Sequence, residues 1–360
     1  MISNLKVSDY KNAVNEIADH FTSALVSDSL KPLNLIRNGS INSPGVSDLD
    51  LIFVFENDFE GGSAFYKEYY KFVNRMKNKN VFFIHDPMIV SHDILKDLPY
   101  YTKNPSADFE FFLGDKPKFS FNEVGKLQAC LICIEFIQFR MVQLMDMIAT
   151  KKMNMQGILL RGHSLKHSIE LCQHAGIDLT NLKFPGFNKV ELLRDKVKSG
   201  KTANLSSLQC KQLYQNIVDE FHEVYKKAAG LLEKFVNFYS PESFSYLYDK
   251  NIMANSSLDY MKQKPSLKVR QGRYEYSGLS WLNMMLSNIY FDKGCKDALV
   301  MKSELSEEAL KRRDFFIKVW RWNYTNFKKI SAGLSPMPCL IGEELEFKAL
   351  KLINVNYNLS

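Results

Sequence analysis

The sequence predicts an α+β protein in which a small mixed sheet is followed by a mostly helical region. Short apolar strands separated by turn residues occur between residues 33 and 55, whereas apolar residues recur at helical spacing over most of the chain after residue 122. A polar stretch at 115–118, which contains a proline, lies between the two patterns. We therefore predict a mixed-sheet domain over residues 1–118 and a helical domain over residues 119–360.

The elements of the first domain follow from local periodicity. An apolar stripe predicts an amphipathic helix over residues 5–30, with markers at Tyr10, Val14, Ile17, Phe21, Leu25 and Leu30. Strands are predicted at 33–36 and from Asp48 to Phe55. A helix is predicted over 63–79, and a strand over 80–90 that contains Asp86 and Pro87.

The second domain is predicted to contain six helices and one hairpin. The helices are predicted over 122–150, 155–175, 206–238, 241–262, 278–291 and 303–330. The hairpin is predicted over 266–276, around Gln271 and Gly272. The most apolar run, 127–148, contains three charged residues, so it predicts a buried helix and not a membrane span.

Composition predicts a globular, reduced protein. The chain has 360 residues, of which 46% are hydrophobic, and its six cysteines are widely spread. Cys130 and Cys133 fall inside an apolar helical run, which favours a core position over a zinc or redox site. The first residues lack an apolar signal core, so we expect a cytoplasmic location.

Charge differs between the two predicted domains. Residues 1–120 hold 13 basic and 16 acidic residues, and the rest of the chain holds 34 and 24, which accounts for the net charge of +7. The basic part is expected to face an anion: a triphosphate, a nucleic acid or an acidic protein surface. Lysines on solvated helices explain the same excess.

Two aspartates open the second predicted strand. Asp48 and Asp50 are two residues apart, so a strand directs them to the same face while Leu49 points into the sheet. Carboxylates this close are stabilised by a cation between them, and their oxygens suit Mg²⁺ or Mn²⁺.

A Gly-Ser pair precedes these acids. Gly39 allows close approach of the backbone to a ligand, and Ser40 can cap the next turn, where free N–H groups favour phosphate oxygens. The Pro44-Gly45 turn then brings Asp48 back toward Ser40. The combination predicts a site for metal and phosphate together.

This pattern of Gly-Ser, a short spacer, Asp-x-Asp and an apolar strand resembles the nucleotidyltransferase superfamily with the DNA polymerase β-type catalytic fold. The resemblance covers about the first 120 residues and carries over Gly39, Ser40, Asp48 and Asp50. It implies transfer of a nucleoside monophosphate from an NTP with release of pyrophosphate. Only residues 41–47 separate Ser40 from Asp48, a shorter spacer than many members have.

The resemblance implies a third carboxylate on a later strand, and the sequence leaves several choices. Asp86 is the first, because it lies inside the strand predicted over 80–90. Asp108 and Glu110 form a second alternating pair, and Asp93 is a further option. If none is placed correctly, the site binds nucleotide without turning it over.

Basic residues of the helical region supply further candidates. Some members of the superfamily place a helical lysine against the triphosphate, for which Arg161 and Lys166 are our candidates. His163 and His167 share a helix face, although no glutamate follows His163 as a zinc protease motif requires. Lysines, arginines and tyrosines between 260 and 276 suit stacking on single-stranded nucleic acid or a nucleobase.

Three functions remain open at this point. The first is a metal-dependent nucleotidyltransferase acting on a protein, a small molecule or RNA as acceptor. The second is a catalytically weak relative that binds nucleotide and partners. The third is a glycosyltransferase with a metal-binding Asp-x-Asp, but there the motif usually ends a strand, whereas here it begins one.

Overall fold

The structure is a computed structural model that describes most of the chain up to residue 238 and shorter pieces beyond it. The described residues are 5–83, 87–97, 109–116, 124–201, 203–238, 243–249, 252–257, 266–270, 273–280, 299–301, 304–305, 307–311, 318 and 322. Their contacts define two compact units. The first unit takes its described residues from 1–123, 192–203 and 315–334, and the second takes the others.

A four-stranded mixed sheet forms the centre of the first unit. Its strands are Asn34–Asn38 (β1), Asp50–Phe55 (β2), Met88–Ser91 (β3) and Glu110–Leu113 (β4). Their order in the sheet is β3-β2-β1-β4. β1 runs antiparallel to both β2 and β4, whereas β2 and β3 are parallel. This mixed sheet, together with the helices, confirms the predicted α+β class.

Two helices, Val7–Thr22 (α1) and Gly62–Val73 (α2), pack on one face of this sheet, which we call the helix-covered face. Leu35, Leu51 and Phe53 project from it into the largest buried cluster of the unit. The parallel β2–β3 pair accounts for α2, because parallel neighbours need a crossover connection.

The other side of the sheet, which we call the opposite face, has its own apolar cluster. Ile36 and Ile52 lie directly across from each other on β1 and β2, and both belong to this cluster. Met88, the partner of Ile52 on β3, belongs to it as well. Since side chains alternate along a strand, these residues fix which face every other strand residue occupies.

The first helix is shorter than the prediction over 5–30. It ends at Thr22, and its four markers Tyr10, Val14, Ile17 and Phe21 are fully buried. Leu25 is 88% exposed, so its assignment to the buried stripe was wrong. The helix stops because the Ser23 cap is extended and its N–H turns back to the carbonyl of His20.

The strand predicted over 80–90 is only partly correct. Residues Lys79–Phe82 (α3) form a helical turn that follows Asn78, whose φ of 61° is left-handed. The carbonyl of Phe82 accepts the N–H of Leu49 at 2.8 Å, which ties this turn to the start of β2. The strand begins at Met88, directly after Pro87, a position that tolerates the missing proline N–H.

Helices dominate the described part of the second unit. They are Lys126–Ala149 (α4), Met155–His163 (α5), Leu165–His174 (α6), the first part of Pro185–Lys198 (α7) and Ser207–Leu232 (α8). The long helix α4 packs against α6 and α8 and buries Cys130 and Cys133, as predicted. Within the described residues, no helix combines the length and the apolar character needed to cross a membrane.

The helix predicted over 241–262 is wrong. Strands Ser243–Asp249 (β6) and Ile252–Ser257 (β7) occupy it instead, in a four-stranded sheet with Ser266–Arg270 (β8) and Arg273–Ser280 (β9). Aromatic residues alternate with others at Phe244, Tyr246 and Tyr248, a period-two pattern that favours strands. The antiparallel β8–β9 pair confirms the predicted hairpin.

Other predictions in this region are partly met. After α8 the chain forms a further strand, Val236–Phe238 (β5), antiparallel to Leu299–Met301 (β10), where the prediction extended the helix to 238. Residues 278–280, predicted as a helix start, belong to β9, and 281–291 lie outside the described residues. Every described residue between 304 and 322 is helical, in agreement with the helix predicted there.

Candidate functional site

A sharp bend follows β1 at the Gly-Ser pair. Gly39 has a φ of +80°, a conformation that glycine adopts without steric cost. The Nη1 of Arg37 donates to the Gly39 carbonyl, and the Ser40 hydroxyl accepts the N–H of Asn42 at 3.2 Å. The expected helix start at Ser40 is therefore not formed, and a helix dipole makes no contribution at this position.

A single tight turn leads from this bend to the acids. The N–H of Ser47 donates to the carbonyl of Ser43 at 2.8 Å, and Gly45 has a φ of +82°. Arg194 donates from Nη2 to the Ser43 hydroxyl at 2.9 Å, and both residues are buried within the first unit. Sequence reasoning missed Arg194, because no local signal links residues 151 positions apart.

The hydroxyl group of Tyr10, in α1, forms hydrogen bonds with both sides of the same turn. It accepts the N–H of Gly45 at 2.9 Å and donates to the carbonyl of Ser47 at 2.7 Å. Burial raises the pKa of this hydroxyl to about 12, with the charge of Asp48 adding to the effect and the Gly45 N–H opposing it. The sequence identified Tyr10 only as an apolar marker, although its hydroxyl fixes the residues that immediately precede Asp48.

The two aspartates lie at the beginning of β2. Asp50 is the first residue of that strand, Asp48 precedes it, and both are half-buried. Leu49 between them is buried in the cluster of the helix-covered face. A Cβ at position 39 would lie 3.4 Å from Oδ2 of Asp50, so the carboxylate rests against Gly39. The structure thus places the Asp50 carboxylate close to Gly39.

The register places Asn38 beside Asp50. These residues are directly opposite each other on β1 and β2, two positions beyond the Ile36–Ile52 pair. Both therefore project from the opposite face. Asn38 Oδ1 is shielded from solvent and has no hydrogen-bond partner. Sequence reasoning did not single out Asn38.

Glu110, one of the alternative third acids, projects from the helix-covered face, whereas Asp50 projects from the opposite face. Glu110 pairs in register with Arg37, which pairs in turn with Leu51 of the helix-covered face. Nη2 of Arg37 lies 2.8 Å from Oε2 of Glu110, and Lys11 of α1 lies 3.7 Å from Oε1. Burial acts to raise the pKa of Glu110, but the hydrogen bonds and charge of Arg37, with Lys11, hold it below its ordinary value.

Asp93 lies toward the far end of the sheet. It accepts a hydrogen bond from the Ser91 hydroxyl at 2.5 Å and pairs with Lys318 at 2.6 Å. Ser91 is opposite Phe55, five residues along β2 from Asp50, which corresponds to roughly 16 Å. Asp93 is therefore too far away to share a ligand with Asp50.

The other two candidates for the third carboxylate lie outside the described residues. Asp86 and Asp108 are both in this group. Among the residues that the structure describes, no group of three or more histidine, cysteine, aspartate or glutamate side chains is arranged to hold a metal ion.

The basic candidates Arg161 and Lys166 belong to the second unit. Arg161 is near the end of α5, and its Nε is shielded from solvent without a hydrogen-bond acceptor. Lys166 is exposed and pairs with Glu170 at 3.5 Å. His163 lies 2.7 Å from Glu191, so this histidine already has a carboxylate partner.

Comparisons of the chain with models of known families, with curated proteins and with solved structures give no match. The resemblance to nucleotidyltransferases consequently rests on the sequence pattern of residues 39–50 alone.

Proposed function

We propose that this protein is a metal-dependent nucleotidyltransferase that moves a nucleoside monophosphate from an NTP to an acceptor hydroxyl. The observation that carries the proposal is the closeness of the Asp50 carboxylate to Gly39 at the end of the β1–β2 pair, where Oδ2 lies 3.4 Å from the position that a Cβ would take. This arrangement puts an acid that suits a cation next to a bend that suits a phosphate.

The residues of the site fit Mg²⁺ or Mn²⁺. Asp48 and Asp50 offer carboxylate oxygens in half-buried positions, where an ion would remain accessible to a nucleotide. Asn38 adds a neutral oxygen without a hydrogen-bond partner. When bound, the metal would neutralise phosphate oxygens and stabilise the attacking and leaving oxygens of an in-line displacement.

Other residues of the chain would bind the phosphates and hold the acids in position. The backbone at Gly39 lets the triphosphate approach closely, because no side chain stands between it and Asp50. The Ser40 hydroxyl accepts from Asn42 and keeps its own proton to donate to a β- or γ-phosphate oxygen. Tyr10 keeps Ser47, and with it Asp48, in a fixed position.

Asp86 is our choice for the third acid and for the base that accepts the proton of the acceptor hydroxyl. Its sequence position supports this role. Met88 of β3 is opposite Ile52 of β2, and Asp86 precedes Met88 by two residues just as Asp50 precedes Ile52. Of the described alternatives, Glu110 projects from the other face and Asp93 lies at the other end of β2. The assignment of Arg161 and Lys166 to the triphosphate also stays a prediction.

The second candidate function is binding of nucleotide without turnover. The observation that favours it is the placement of Glu110 and Asp93, neither of which can complete the acid set. This candidate requires that Asp86 does not join Asp48 and Asp50.

The test is release of pyrophosphate. The purified protein would be incubated with each of the four NTPs, with Mg²⁺ or Mn²⁺, and with cell extract as the source of acceptor. We expect turnover with at least one NTP, and label transferred from the α-phosphate to a protein, small molecule or RNA. Saturable NTP binding without pyrophosphate would support the second candidate.

A matched pair of double variants assigns the activity to the site. Asp48→Ala/Asp50→Ala should abolish turnover, whereas Glu56→Ala/Asp58→Ala removes two exposed acids of the same spacing beyond the other end of β2 and should not. Turnover that survives the first change would contradict the assignment of the site.

A further inference from the structure

One side-chain oxygen stands out in the first unit. Among the described residues of that unit, Asn38 Oδ1 is the only buried side-chain nitrogen or oxygen that lacks a hydrogen-bond partner. Buried polar atoms without partners destabilise the fold unless a ligand or ion satisfies them. The neighbouring polar groups are satisfied within the chain, since the Gly39 carbonyl accepts from Arg37 and the Ser40 hydroxyl accepts from Asn42.

The position of Asn38 links this oxygen to the acid pair. Asn38 and Asp50 are the last register pair at this end of β1 and β2. Opposed residues of an antiparallel pair have Cβ atoms only about 4.5–5.5 Å apart and project from the same face. The Asp50 carboxylate also leans toward the bend, because it touches the position of a Cβ at Gly39, the residue after Asn38.

We propose that the Asn38 side-chain oxygen is a ligand of the divalent cation that Asp50 binds. The inference rests on the proposed function, because it takes the Asp48–Asp50 pair as a metal site. An amide carbonyl is a usual oxygen ligand for hard cations. It adds a coordination position without adding charge, so it holds the ion while leaving more of the ion's charge for the phosphates of a nucleotide.

The distinguishing consequence concerns stability with and without metal. Asn38→Leu has nearly the same shape as asparagine but has no polar group to leave unsatisfied. Without a cation, this variant should be at least as stable as the natural protein, because removing an unsatisfied buried oxygen is neutral or favourable. With a cation it should gain less stability, because one ligand is missing.

The experiment is a titration of the full chain with MgCl₂ or MnCl₂ alone, followed by thermal unfolding. We expect Asn38→Leu to weaken the apparent cation affinity at least about tenfold. Asn38→Asp keeps an oxygen at this position and should bind the cation at least as tightly as the natural protein does. Asn42→Leu changes an exposed asparagine four residues away and serves as the control, with no expected effect.

Asp50→Asn separates the two proposals. If Asp50→Asn weakens cation binding and Asn38→Leu does not, the inference about Asn38 is wrong and the proposed metal site stands. If the natural protein is not stabilised by either cation, both fail. Unchanged cation affinity in Asn38→Leu with a raised KM for NTP would also overturn the inference, because it assigns the amide to the nucleotide.

Discussion

β1 has an acid on each neighbouring strand, and the two acids have different surroundings. On the β2 side, Asp50 is opposite Asn38 and rests against Gly39. On the β4 side, Glu110 is opposite Arg37 and forms an ion pair with it at 2.8 Å. Asn38 and Arg37 are adjacent in sequence, so their side chains project from opposite faces of the sheet.

This contrast shows how strand alternation separates two uses of an acid. Glu110 has its charge balanced by Arg37 and Lys11, so it stabilises the fold. Asp50 lies on the face where the neighbouring Asn38 oxygen has no partner in the chain, so the β2 side is the one that suits an added cation. The following predictions test this division.

The largest effect is expected on activity. Asp50→Asn should lower the rate of pyrophosphate release by roughly a thousandfold or more, because it would remove a charged ligand of the proposed metal site. Glu110→Gln should leave the rate per folded molecule within a few-fold. Initial rates, corrected for the folded fraction, provide the measurement. Equal losses of rate in Asp50→Asn and Glu110→Gln would contradict the assignment of different roles to the two faces of the sheet.

The next effect concerns the stability of the β1–β4 side. Arg37→Met should lower the free energy of unfolding by about 2–3 kcal/mol, because the Gly39 carbonyl and the partly exposed Glu110 lose charge-assisted hydrogen bonds from the buried guanidinium. Urea denaturation measures this loss. The double variant Arg37→Met/Glu110→Leu should recover the part of the loss that comes from the ion pair, since an apolar pair leaves no charge unbalanced, whereas the Gly39 carbonyl still lacks its donor. A double variant no better than the single one would show that the ion pair itself is not the cause.

A smaller loss is expected for Tyr10→Phe. The N–H of Gly45 and the carbonyl of Ser47 would both lose the hydroxyl in a buried environment, which costs about 2 kcal/mol. Because this turn leads into Asp48, the apparent affinity for Mg²⁺ should fall as well. Chemical denaturation and cation titration measure the two effects. An unchanged cation affinity together with lower stability would limit Tyr10 to a structural role.

The smallest effect is a pH dependence. The pKa of Glu110 is lowered in the folded protein from its ordinary value of 4.5, so the unfolded chain takes up this proton first as pH falls. Its contribution is complete above pH 4.5 and is lost as pH falls through the lowered pKa. Since the carboxylate is partly exposed, the contribution is about 1 kcal/mol or less. Glu110→Gln should therefore flatten the stability curve of the protein below this pH, and parallel curves for the two proteins would contradict the assignment.

Local sequence was sufficient to predict the two strands that carry the candidate site, but not which side chains of neighbouring strands face each other there. The apolar runs before Gly39 and after Asp50 predicted β1 and β2, because strand periodicity is a short-range property. The roles of Asn38 and Glu110 depend on register between strands, and β4 pairs with β1 across 73 positions of sequence from Arg37 to Glu110. No short-range pattern encodes which face a residue occupies in such a pairing.

The role of Tyr10 shows the same limit, whereas the error over 241–262 does not. The Tyr10 hydroxyl accepts a hydrogen bond from a turn 35 positions later in the sequence. The sequence pattern identified only the apolar ring of this residue, so the hydrogen bond was not predicted. The error over 241–262 has a different cause, since the alternation of Phe244, Tyr246 and Tyr248 was present in the sequence and favoured strands.

The first unit also has a consequence for how the chain is made. The indole N–H of Trp322 donates to the carbonyl of Asn57 at 3.0 Å, and Lys318 pairs with Asp93. A ribosome synthesises residues 5–113 early, yet these contacts must wait until residue 322 has left the exit tunnel. The contacts of the first unit are therefore complete only after the intervening residues of the second unit have been synthesised.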